Sequence, residues 1–264
     1  MGLFVDYMTS FVLKYNSVNG NPTRRQISEW FGSDKKAVWR NGYEEQMSFS
    51  KKSAVVVIGV SCIGKSTYAK RLLEAFPDMT FISYDECSYQ KVDEMNAGKS
   101  VSEARVVELL EEKMLENKDK NLVVDSHVIN PASRAALMRF LKDLGYEIFV
   151  IYFSKKYTEA NISKHLLNRA IELTLYQDYL KSTDTSRMTM KEIMVVRDDI
   201  VSYMAKKNKM TEDELLSKTA TRSETLSNLL GLNRFYNEEL EKNRMWWQEL
   251  RGMFLLGADY FYEF

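Results

Sequence analysis

The sequence is poor in cysteine, proline and histidine, and neither sign of charge is in excess. Two cysteines in 264 residues, Cys62 and Cys87, are too few for a disulfide framework. They stand in no metal-ligand spacing either, so a reducing compartment is expected. Only three prolines interrupt the chain, which leaves long stretches open to helix. The 37 basic and 37 acidic residues cancel to a formal charge of +0, so any attraction to nucleic acid must come from local clusters. No run approaches the roughly 18 apolar residues that a bilayer span requires. Residues 1–15 are broken by Asp6 and Lys14 and lack the basic start and cleavage site of a secretory signal. Asp6 also occupies the place where a myristoylation signal has Ser or Thr. A cytoplasmic protein with no membrane segment is expected. What is plentiful is apolar and aromatic surface, 45% and 12% of residues, as in a globular, helix-rich chain.

Four β-like runs punctuate that background: Ala54–Ile58, Thr80–Ser83, Leu122–Val124 and Glu147–Phe153. The first is continuously apolar and mostly β-branched, the pattern of a strand buried on both faces. Helical patterns lie between the runs, at Thr67–Phe76, Val101–Asn117 and Pro131–Leu144. The last has Asn130 as N-cap, proline at its first position and Gly145 as its stop. This alternation predicts an α/β fold, a parallel sheet flanked by helices, with helical extensions at both ends. Residues 158–181 and 190–206 also read as helix, and Thr211–Glu214 as a capping box opening another. The expected division is a helical N-terminal extension over 1–50, a core with a lid over 51–200, and a helical C-terminal region over 201–264.

Residues Gly59 to Ser66 satisfy G-x-x-x-x-G-K-[ST], after a buried strand and before a helix, the context this pattern needs. Gly59 and Gly64 let the backbone turn tightly, so that N–H groups from Ser61, Cys62, Ile63, Gly64, Lys65, Ser66 and Thr67 converge on a phosphate. The helix that follows directs its positive end at the same anion. Lys65 would reach the β- and γ-phosphates of ATP, and the Ser66 hydroxyl would hold Mg²⁺. The Cys62 thiol has no part in this.

Ligands on open α/β sheets gather beyond the carboxyl ends of the strands. Strand two ends in Ser83–Glu86 and strand three in Val124–His127, so Asp85 and Asp125 point toward the phosphate loop. Asp85 is a candidate base for an acceptor hydroxyl. Asp125 would hold either the acceptor or Mg²⁺. His127 is a candidate acceptor contact.

Together, the phosphate loop, residues 81–86 (FISYDE) and residues 123–134 (VVDSHVINPASR) resemble the polynucleotide-kinase and zeta-toxin branch of P-loop kinases, over about residues 53–155. The resemblance implies an aspartate after strand two, here Asp85, that activates the acceptor hydroxyl. It also implies an acceptor-side group around the second aspartate and a following N-P and arginine, here Asn130, Pro131 and Arg134. Where polynucleotide kinases carry an arginine for the acceptor's phosphate, this chain has Cys87, Ser88 and Tyr89. Such kinases close an arginine-bearing lid over the γ-phosphate. Arg187, in a polar turn, and Arg169, on a helical stretch, are the candidates. The expected activity is transfer of the γ-phosphate of ATP to a hydroxyl of a small molecule, a nucleotide-sugar included, or of a polynucleotide 5′ end.

Two features stand apart. Residues 3–15, 23–32 and 34–45 read as three helices with a short turn at Gly32 and Ser33. Arg24, Arg25, Lys35, Lys36 and Arg40 would give them a basic face, as in a DNA-contacting helix-turn-helix, and the alternative to a kinase is then a nucleotide-regulated DNA-binding protein. The alternative is a helical hairpin packed on the core. The Trp246/Trp247 and Tyr260–Phe264 clusters are either core or a partner surface.

Overall fold

The structure is a computed structural model that describes residues 2–16, 38–41, 49, 52–59, 63–125, 131–153, 159–229, 231, 234, 238 and 257–263. Its centre is a six-stranded sheet of β1 (Val38–Asn41), β2 (Ser53–Ile58), β3 (Met79–Ser83), β4 (Asn121–Asp125), β5 (Glu147–Tyr152) and β6 (Tyr260–Glu263). The strands run in the order β1-β6-β5-β2-β4-β3, and every pairing is parallel. Parallel neighbours need crossovers, and helices supply them: α2 (Lys65–Ala75), α3 (Tyr84–Asn96), α4 (Arg105–Glu116) and α5 (Pro131–Asp143). The α/β class read from the sequence is the observed one.

β2 lies between β4 and β5, and all six of its residues are buried. Ala54, Val56 and Ile58 join the large core beneath one face, with Leu122, Val124, Ile148, Val150 and Phe261. Val55 and Val57 on the other face are equally buried, which is why the strand shows no polar alternation. Each such side chain contributes about 1.5–3 kcal/mol by leaving water. The helix α1 (Leu3–Asn16) sets Phe4 and Phe11 into the same core and packs on α5 and α4. A buried carboxylate holds its start: Glu111 accepts from the N–H groups of Phe4 (3.1 Å) and Val5 (3.4 Å). This satisfies N-terminal donors that a helix leaves open.

Two strands correct the sequence reading. Val38–Asn41 falls within the third helix expected at 34–45, yet it is β1, paired with β6 in the register Val38↔Tyr260. Residues 17–37, the rest of the helix-turn-helix reading with Arg24, Arg25, Lys35 and Lys36, lie outside the described residues. Tyr260–Glu263 is β6, in the C-terminal region expected to be helical. Phe261 is fully buried, and Tyr260 stacks on Phe149 at a centroid distance of 4.6 Å. Short aromatic strands have no helical period to reveal them, and pairing partners far along the chain decide their state. Phe261 and Tyr262 are sheet core, whereas Trp246, Trp247 and Phe264 lie outside the described residues.

The chain forms two compact units, 1–88 with 101–156 and 240–264, and 89–100 with 157–239. The second unit holds α6 (Glu159–Ser182), α7 (Met190–Asp198), α8 (Ile200–Asn208) and α9 (Glu212–Leu229). Its core comprises Ile171, Leu175, Tyr179, Ile200, Met204, Ala205 and Leu215. The expected capping box opens α9: Thr211 Oγ1 accepts from the Glu214 N–H at 3.3 Å, and Glu214 accepts from the Thr211 N–H at 2.9 Å.

Glu111→Ala removes the acceptor for two buried N–H groups. The expected loss is about 1–3 kcal/mol of unfolding free energy, read by urea denaturation. Asp6→Ala, an exposed change on α1, is expected to stay within about 0.5 kcal/mol.

Candidate functional site

The site begins where β2 runs out. A Cβ placed on Gly59 would lie 3.0 Å from Ile63 Cγ2 and 3.2 Å from Phe153 Cβ, so the chain turns there close against the end of β5, and a side chain would crowd both neighbours. Residues 60–62, with Ser61 and Cys62, lie outside the described residues. Ile63 is buried to 4% exposure, and Gly64 takes φ 100°, ψ 10°, a left-handed conformation that glycine adopts without steric cost. α2 starts directly after it, and its first intrahelical bond runs from the Tyr68 N–H to Gly64 O at 2.9 Å. The N–H groups of Lys65, Ser66 and Thr67 belong to the first turn of α2, at the positive end of the helix dipole, where an anion would be stabilised. Lys65 is buried, at 7% exposure, and burying an ammonium is costly unless it is paired with an anion.

The second component is Asp125, the last residue of β4. Because β4 pairs directly with β2, Asp125 is level with Val57, just before the loop. Its Oδ2 accepts a hydrogen bond from Ser66 Oγ at 2.8 Å. A hydroxyl and a carboxylate, both oxygen donors and both accessible, meet at the mouth of the loop. This oxygen-only pair matches what Mg²⁺ takes from a protein.

Asp85 is brought up by β3 and α3. Ser83 stands opposite Asp125 in the β3–β4 register. Its Oγ accepts from the Glu86 N–H at 3.4 Å and so caps α3. Asp85 therefore sits in the first turn of a helix rather than on a strand end, with its side chain exposed and without a partner among the described residues. The sequence reading missed α3, although Ser83–Glu86 has the S-x-x-E form of a capping box.

The remaining candidates divide. Arg134 is buried, at 4% exposure, in the first turns of α5 within the sheet unit. His127 lies outside the described residues. Arg169 and Arg187 belong to the helical unit. Arg169 is engaged with Glu172 at 3.2 Å on α6. Arg187, in the turn between α6 and α7, is exposed and has no partner among the described residues. Cys87 is fully buried, and burial pushes its thiol up to about 11. The adjacent Ser88 hydroxyl donates to Tyr84 O at 3.0 Å.

A family model described as an AAA domain matches residues 55–170, less than half of the chain. These residues are P-loop-like in sequence and in fold. The match runs from within β2 through β5 and takes in the Gly59–Ser66 loop, Asp85 and Asp125. No protein of curated function matches the chain. One solved structure with a likeness is described as the PezAT chromosomal toxin-antitoxin system of the human pathogen Streptococcus pneumoniae. The identity is 18%, the TM-score 0.35, and the match covers 52% of this chain and 57% of that one. The chain thus spans little more than half of that structure's length. Among the described residues, no helix is long and apolar enough to cross a membrane.

With its thiol raised to about 11 by burial, Cys87 stays protonated at pH 8. Iodoacetamide at pH 8 is expected to label Cys87 at least about tenfold more slowly in the native protein than in urea, read by peptide mass spectrometry.

Proposed function

We propose that the protein is a magnesium-dependent kinase that transfers the γ-phosphate of ATP to an alcohol hydroxyl. The observation that carries this reading is the 2.8 Å hydrogen bond between Ser66 and Asp125 at the mouth of the loop, with Asp85 on the neighbouring strand-to-helix turn. Lys65 and the first N–H groups of α2 bind the β- and γ-phosphates. Ser66 and Asp125 would hold Mg²⁺, which neutralises charge on the phosphate oxygens. Of the two roles left open for Asp125, metal or acceptor, the contact with Ser66 supports the metal.

Asp85 takes the proton of the acceptor hydroxyl as that oxygen attacks the γ-phosphorus. The exposed carboxylate on the first turn of α3 suits this role, since Ser83 supplies the cap and leaves Asp85 available. An arginine closing over the phosphate offsets charge that develops in transfer. Arg187 is the better candidate, because Arg169 already pairs with Glu172. Arg134 and His127 remain on the acceptor side.

The acceptor is proposed to be a small molecule carrying a free hydroxyl, a nucleotide-sugar among the possibilities, in preference to a polynucleotide 5′ end. Where the resemblance has an arginine for the acceptor's phosphate, this chain has Cys87, fully buried, and Ser88, whose hydroxyl donates to Tyr84 O, and no cationic side chain.

Asp85→Asn is expected to keep ATP affinity while phosphate transfer falls about 10²–10⁴-fold. The assay is transfer of label from γ-labelled ATP into separate pools of metabolites and oligonucleotides. Unchanged transfer in this variant would remove Asp85 as the base, and label in the oligonucleotides alone would overturn the small-molecule assignment. Asp125→Asn is expected to raise the Mg²⁺ concentration needed for half-maximal ATP binding. An Mg²⁺ titration identical to that of the wild type would return Asp125 to the acceptor.

A further inference from the structure

α3 opens at Tyr84, directly after β3, and its first turn has an inner and an outer side. Tyr84 and Cys87, three residues apart, lie against the large core, and Cys87 is fully buried there. Asp85 and Glu86, between them, are both exposed. The apolar side fixes which face of the helix meets the sheet, but it leaves the N–H groups of the first turn, which have no acceptor within a helix, to be satisfied otherwise. The Glu86 N–H donates to Ser83 Oγ at 3.4 Å, and Ser83 is itself buried, at 7% exposure. From α4, Lys113 Nζ comes within 3.8 Å of Glu86 Oε2, a contact between two partly exposed side chains.

These two contacts on Glu86 are unequal. A partly exposed ion pair is screened and holds little. Exchanging a Ser cap for Ala shifts the equilibrium of a helix end by about threefold to thirtyfold. The cap has a second effect, because Asp85 occupies the same turn and a short acidic side chain there is drawn to open N–H groups. With Ser83 as the acceptor, the Asp85 carboxylate has no partner among the described residues. A neutral acceptor also suits the place: Ser83 is level with Asp125, and a carboxylate in its stead would repel that one.

We propose that Ser83 is a positioning residue for phosphate transfer: its hydroxyl takes the Glu86 N–H, which keeps the first turn of α3 closed and leaves the Asp85 carboxylate for the acceptor hydroxyl. The inference rests on the kinase reading above and adds to it a residue that touches neither nucleotide nor acceptor. Ser83, Asp85, Glu86, Lys113 and Asp125 all belong to the sheet unit. Ser83 acts through Asp85, whose proton transfer requires the carboxylate within hydrogen-bond reach of the attacking oxygen.

The test uses the full-length protein, amide deuterium exchange at the start of α3, and transfer of label from γ-labelled ATP into a pool of small metabolites. Ser83→Ala is expected to speed exchange of the Glu86 amide and to lower the transfer rate at saturating ATP by about threefold to thirtyfold. The KM for ATP is expected to stay within about twofold, because the phosphate loop is untouched. Ser83→Thr, which keeps the hydroxyl, is expected to transfer within about twofold of the wild type. Lys113→Ala should do the same. The Ser83→Ala/Asp85→Asn double variant should be no slower than Asp85→Asn alone. Wild-type transfer or wild-type amide exchange in Ser83→Ala, or additivity in the double variant, would overturn the proposal while leaving the kinase reading intact. So would a loss in Lys113→Ala as large as that in Ser83→Ala, or a Ser83→Thr as impaired as Ser83→Ala at an unchanged melting temperature. Should the added methyl lower the melting temperature, amide exchange in Ser83→Ala and the double variant decide. A wild-type protein that labels no pool, although Lys65→Ala confirms that the loop holds the nucleotide, would end both readings.

Discussion

The site depends on the direct pairing of β4 with β2. Had β3 taken that place, Asp125 would have stood one strand spacing, about 4.8 Å, further from the helix that begins at Lys65. Instead Val57 and Asp125 are register partners, and Ser66, just beyond the loop, can reach the carboxylate. The next pairing, Ser83 with Asp125, sets the start of α3 beside the same edge. Three strand ends are thus level, and each carries one component: the anion cradle, the oxygen pair and the accessible aspartate. The chemistry is a consequence of strand order.

That order is held by burial on both faces of the sheet. All six residues of β2 are buried, and register with β4 and β5 fixes where Gly59 falls. Hydrophobic burial is not directional, so the precision comes from the hydrogen-bond ladders, and the core makes those ladders obligatory. Polar groups act as pins at the margins of the sheet. Glu111 holds the start of α1. Asp259, nearly buried, accepts from the Ile148 N–H at 2.8 Å and pairs with Lys142, which fixes the chain as it enters β6.

The parts of this arrangement legible in the sequence were those with a local signature. The run at Ala54–Ile58 announced a strand buried on both faces, and Gly59–Ser66 announced the turn and helix start that follow. The alternation of β-like runs and helical periods gave the parallel sheet. Signals requiring a distant partner were not legible. Val38–Asn41 was assigned to a helix because its strand character comes from Tyr260–Glu263, which lies far along the chain. α3 was overlooked because Tyr84–Asn96 has a weak apolar stripe with only Cys87 buried among its residues. The role of Asp125 stayed open for the same reason: the neighbour that supports the metal over the acceptor, Ser66, is close in space and far in sequence.

The placement of β6 bears on how the chain is assembled. β5 and β6 are adjacent in the sheet, yet residues 157–239 of the helical unit are synthesised between them. A nascent chain therefore carries β5 as an open edge, with unpaired amides and the Phe149 ring beside it, until Tyr260–Glu263 leaves the ribosome. Such an edge is a template for pairing with any other extended chain. Fast independent folding of the intervening helices, which draw on short-range contacts, shortens the interval in which a new chain needs shelter from its neighbours.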